Sequence, residues 1–160
     1  MKTWEDIYNL EITQQYPDAI VAIEERLQLN SSENEAIIRL GFLLWLGIVE
    51  KDRLELNISQ QSYAKRFREL LNANRSNYDN NADFCFSFGY GLSIDYFYFV
   101  EDAKDINELK SYESIGKTLL EKAMELDPFY SKLLKGEITQ KEISEHFVNR
   151  GCILKYYGIV

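Results

Sequence analysis

Few side chains in this sequence have the chemistry of a catalyst. There is one histidine, His146 in KEISEHFVNR, and there are two cysteines, Cys85 in FCF and Cys152 in GCIL. A histidine beside a cysteine would supply a general base and a thiolate nucleophile. Both cysteines sit in apolar stretches, however, and free cysteine favours the core. Reduced, buried thiols are the expectation, rather than a Cys–His dyad or a disulfide. Zinc needs several ligands at set spacings, and the chain has no CxxC and no second histidine. Neither GxxxxGK[ST] nor GxGxxG is present to cradle a phosphate. GYGLS (89–93) has glycines, but carboxylates surround it where a phosphate would sit. His146 reads as a partly exposed helix residue. The expectation is a protein without catalytic residues, cofactor or metal.

Charge is more informative. The 160 residues carry 18 Lys and Arg against 26 Asp and Glu, a net charge of −8. Such a chain repels nucleic acid and anionic membrane and attracts a basic partner. The acids are not evenly spread. Between Arg75 and Lys104 lie 28 residues without a positive side chain, and they hold Asp79, Asp83, Asp95, Glu101 and Asp102. Acids near a helix start gain from the helix dipole, which accounts for Asp79 and Asp83 without any function. The functional alternative is a docking surface for a cationic protein, with Tyr78, Tyr90 and Tyr98 as ring anchors. A smaller basic cluster, Lys65, Arg66 and Arg68 with Arg75, is interrupted by Glu69 and reads first as a solvated helix side.

The elements that must position these residues are helical. Thr3 with Asp6, Ser32 with Glu35, and Thr139 with Glu142 have capping-box spacing. Ala19, Ile20, Ile23 and Leu27 form an amphipathic stripe. The run Leu40–Val49 is apolar around much of its circumference, so it is expected to be covered on both sides. Residues 58–73 and 111–127 read as further helices, and NANRSNYDNN and EDAKDINELK as polar connections. A short helix over 129–135 should stop at Gly136. The stretch ADFCFSFGYGLSIDYFYFVED (82–102) alternates like a strand up to Gly91. Over its full length Phe84, Phe88, Leu92, Tyr96 and Phe99 advance by helical steps, which predicts a helix with an inward aromatic stripe. No run reaches the roughly 18 uncharged apolar residues of a membrane span, and the N-terminal residues do not resemble a signal peptide. A single-domain cytoplasmic protein over 1–160 is expected.

Two segments resemble tetratricopeptide repeats. EKAMELDPFYSKLL (121–134) is similar to the second helix and exit of a unit, with Ala123 and Pro128 at the family's separation. AIVAIEERLQLNSSENEAIIRLGFLLWLGI resembles a repeat boundary, although Ser31 stands where the usual proline would be and no strict 34-residue period runs through. The resemblance implies an all-α, antiparallel, repeat-like stack of about six to eight helices. The Leu40–Trp45 helix, DFCFSFGYGLSIDYFYF, LDPFY and the closing FVNRGCILKYYGIV together resemble bacterial immunity proteins that accompany polymorphic toxins, including those of contact-dependent growth inhibition. That resemblance implies a non-enzymatic inhibitor, monomeric or weakly dimeric, that binds the C-terminal domain of its cognate toxin, a basic nuclease for example. The candidate contacts are Tyr78, Asp79, Asp83, Tyr90, Asp95, Tyr98, Glu101 and Asp102. The alternative is a helical-repeat adaptor that clamps a peptide carboxylate with Lys65–Arg68.

Overall fold

A computed structural model describes residues 1–160, and the chain is entirely helical: α1 (Trp4–Ile12), α2 (Tyr16–Leu29), α3 (Asn34–Val49), α4 (Gln60–Tyr78), α5 (Ala82–Asp95), a 3-10 turn (Tyr96–Tyr98), α6 (Ile106–Leu126), α7 (Pro128–Lys135), α8 (Gln140–His146) and α9 (Gly151–Tyr156). Each α-helix contributes at least one side chain to a single core of 35 buried hydrophobic residues.

The start signals act at most of the expected places. Thr3 and Asp6 cap α1 reciprocally, as Thr139 and Glu142 cap α8. Pro128 occupies the first turn of α7, where its missing N–H is no loss. Gly136 ends that helix with φ 70°, a left-handed conformation that glycine adopts without strain. The third expected box does not form. Ser32 bonds instead to the Asn30 side chain, Glu33 precedes α3 without a side-chain cap, and Glu35 turns toward Arg150. Two polar stretches expected to be connections are partly helical. α4 continues through NANRSNY to Tyr78, with Asn74 Nδ2 donating to the Leu70 carbonyl. α6 starts at Ile106 because Asp105 accepts hydrogen bonds from the Asn107 and Glu108 N–H groups.

α3 is the axis of the molecule. Every residue from Ala36 to Ile48 is buried. Helices α2, α4, α5 and α9 all pack on it, so its circumference is covered as its composition requires. α5 runs in the same direction as α3: Gly41 faces Phe88, and Gly91 faces Trp45 one turn further along both helices. α6 lies antiparallel on α5, with Gly89 against Gly116, Leu119 and Leu120, and Gly116 against Leu92 and Ser93.

α9 returns to the beginning of the chain. Gly151 packs on the Tyr8 carbonyl and on the Glu11 and Ile12 side chains, and the Cys152 N–H donates to Glu11. In an open repeat array each unit meets only its neighbours. Here the α1–α9 and α3–α5 contacts close the stack on itself. The inner helix surface that an open array would offer to a peptide is core.

Candidate functional site

The eight candidate contacts do not form one surface. α5 has 14 residues, and at 1.5 Å per residue its ends lie roughly 20 Å apart. Tyr78, Asp79 and Asp83 are near its start, Asp95 is its last residue, and Tyr98, Glu101 and Asp102 lie beyond it. Several are also committed to internal bonds. Tyr78 donates its hydroxyl to the Ser32 carbonyl and stacks on Phe84. The Tyr90 and Tyr156 hydroxyls share a hydrogen bond. Asp95 accepts from Trp45 Nε1 at 2.9 Å. Asp83 accepts from Arg150 Nη1 at 2.7 Å and from the Tyr130 hydroxyl. Of the acids near the start of α5, only Asp79 stays exposed and free of an ion pair. Sequence spacing pooled these residues because a run of acids carries no record of which ones meet an arginine from a distant helix.

At the far end of α5 the chain builds a knuckle. The Asp95–Trp45 hydrogen bond fixes one side of the 3-10 turn. On the other side Phe99 is buried against Phe67, ring centroids 4.2 Å apart, and Arg68 Nη1 donates to its carbonyl at 2.8 Å. Residues beside and between these two anchors are turned outward. Ile94 is 50 % exposed, Phe97 47 % and Tyr98 37 %. The Phe97 and Tyr98 rings support each other with centroids 4.5 Å apart. The helix read from the sequence over 82–102 in fact ends at Asp95, and the tighter 3-10 turn that follows leaves Phe97 exposed. Exposed Glu101 and Asp102 follow directly. Their N–H groups are both capped by the Glu108 carboxylate, at 2.7 and 3.1 Å, and the Asp102 carboxylate accepts from the Lys104 N–H at 2.9 Å. Arg68 reaches Glu101 at 3.4 Å but spends its shorter bond on Phe99.

The basic cluster is likewise dispersed. Lys65 pairs with Glu69, Arg66 with Glu24 and Arg68 with Glu101. A carboxylate clamp on Lys65–Arg68 would have to displace an acid at each position.

A second constellation escaped sequence reasoning. Arg39, 1 % exposed, donates from Nε and Nη2 to both oxygens of Glu11, at 2.9 and 2.6 Å. Glu35 accepts from Arg150 Nε and Nη2, and Arg150 reaches on to Asp83. Asp83 also meets His146 Nε2 at 3.5 Å. Burial works to raise the Asp83 pKa, but the hydrogen bond from His146, the Arg150 charge and the Tyr130 hydroxyl together hold it well below the ordinary carboxylate range. Burial beside Asp83 raises the Tyr130 phenol. His146 stacks flat on Phe129, 3.6 Å between centroids. Glu35, Arg39, His146 and Arg150 from this network line a cleft of about 800 Å³, together with Trp4, Glu5 and Tyr8 of α1 and Val148 and Asn149 of the α8–α9 turn. No serine, threonine or cysteine lines it, and the hydroxyl beside the His146–Asp83 pair is that of Tyr130, 3.3 Å from His146 Nε2.

Both cysteines are buried and unbridged, and burial pushes the Cys85 thiol up to about 11. No group of three or more His, Cys, Asp or Glu side chains converges in a way that would hold a metal ion. No helix is long and apolar enough to cross a membrane. Fold and surface thus define a closed all-α stack with an exposed aromatic knuckle and a polar cleft. Comparison with protein-family models, with curated proteins and with solved structures finds no match.

Proposed function

We propose that the protein is a non-enzymatic immunity protein that binds and neutralises a basic toxin domain, with the knuckle at 94–102 as its main contact. The observation that carries this reading is the rigid exposure of Ile94, Phe97 and Tyr98 next to Glu101 and Asp102. Exposed rings held by their own supports bind with little loss of side-chain freedom, and aromatic anchors dominate protein interfaces. The adjacent acids favour a cationic partner, in keeping with the net charge of −8. The eight-residue surface read from the sequence narrows to Tyr98, Glu101 and Asp102, joined by Ile94 and Phe97.

The test is titration with the C-terminal domain of the toxin encoded beside the gene. A 1:1 complex that inhibits the toxin is expected. Phe97→Ala should weaken it by about thirtyfold, the usual size for a hot-spot ring. Glu101→Lys with Asp102→Lys should slow association, most strongly at low salt. All three positions are exposed, so the variants fold. Full-strength binding by both variants would remove the knuckle as the contact, and no binding by the parent protein would remove the immunity reading.

A further inference from the structure

We infer that the cleft between α1, the start of α3 and the α8–α9 turn binds a small zwitterion of the amino-acid type. The inference stands apart from the partner-binding reading, because the cleft and the knuckle share no residue.

The first observation is the unused end of Arg39. Two of its three nitrogens are held by Glu11. The third, Nη1, lies 4.0 Å from Glu35 Oε1, beyond hydrogen-bond reach. The side chain is 1 % exposed, yet it lines the cleft. Arg39 Nη1 thus meets no protein acceptor at the wall of the cleft, and a carboxylate arriving through the cleft would complete it. Trp4 braces the guanidinium from the side, 4.5 Å from its ring centroid, so the donor is held in place before any ligand arrives.

The second observation is the charge of the lining. Glu5 and Glu35 balance Arg39 and Arg150, and His146 is the only other titratable group there besides Tyr8. Behind this layer Glu11 and Asp83 add negative charge. A simple anion would meet carboxylates without compensation. A simple cation would make no use of Arg39 Nη1 and would face two guanidiniums. A ligand with both charges resolves the conflict: its carboxylate completes Arg39, and its ammonium turns to Glu5 and the open side of Glu35. Glu5 is exposed and engages no cation of its own. Tyr8 and Val148 supply apolar wall for a side chain, and about 800 Å³ is within the usual range for small-ligand clefts.

The probes are L-leucine, L-phenylalanine and L-glutamine, each beside its N-acetyl and methyl-ester forms, followed by calorimetry and by the melting temperature. At least one free amino acid should bind saturably and raise the melting temperature, while both blocked forms of it bind at least tenfold more weakly. Glu5→Gln should weaken binding about tenfold, one lost charge-assisted contact. Val148→Trp, at an exposed position on the rim, should obstruct the cleft and abolish binding without loss of fold. The proposal is overturned if none of the three binds at about 10 mM, where even millimolar affinity would raise stability measurably. It is also overturned if the blocked forms bind as well as the free ones, or if Val148→Trp leaves binding intact.

Discussion

Arg39 is the one ionised residue in the run AIIRLGFLLWLGIV, and it needs a buried acid as partner. The sequence does not single out that partner, because Glu11 lies 28 residues away and competes with 25 other acids. Removing one member of such a pair strands the other without compensation. Arg39→Met should therefore lower unfolding stability by about 3–5 kcal/mol in urea titrations, and Arg39→Met with Glu11→Leu should recover much of the loss. Asp83 gives a pH signature. Its folded pKa is depressed, so its stabilisation is complete above the unfolded value, about 3.9, and fades as pH falls through that value toward the lower folded one. Asp83→Asn should be less stable at neutral pH and lose less on acidification, so that its urea midpoint converges with that of the parent below about pH 4. Parallel midpoint curves would show that the fold does not depress the Asp83 pKa.

At the scale of elements, period and caps carried most of the information. The all-round burial of α3, the boxes at Thr3 and Thr139 and the stop at Gly136 all follow from residue types at known offsets. The Ser32 box failed because Glu35, which it would have used, bonds to an arginine 115 residues away. Helix borders in NANRSNY and EDAKDINELK were missed for a related reason. Turn-favouring residues state a weak local preference, and Asn74 and Asp105 here spend their polar groups on helix backbone instead. The glycines of 82–100 cost helix propensity, and their return is close packing. A methyl group on Gly116 would lie 2.5 Å from the Ser93 backbone nitrogen, with α6 unable to move independently of α5. Gly116→Ala should cost about 1–3 kcal/mol or more through overpacking. Gly136→Ala, where nothing lies within 4 Å of the added methyl, should cost only the strain of its positive φ, about 1 kcal/mol. Thermal denaturation of the pair checks the order.

On the scale of the whole molecule, the all-helical class was readable from periodicity, but the surface was not. Net charge is a sum, whereas a docking face depends on which acids remain after helices have exchanged partners. Five of the eight candidate contacts bond internally through Trp45, Arg150, Ser32, Tyr156 or Arg68, none of them nearby in sequence. Closure of the stack was equally hidden, since the α1–α9 contact joins residues 141 apart. Deleting 151–160 should leave helical far-UV circular dichroism but weaken the near-UV signal and lower the urea m-value, because α1 and α3 lose their cover. The same contact shapes how the protein is made. Ribosomes add about 5–20 residues each second, so Glu11 emerges roughly 7–30 s before the amide that will satisfy it. Through that interval α1 lacks the cover that α9 will give it, and its inner side stays open until α9 has been made.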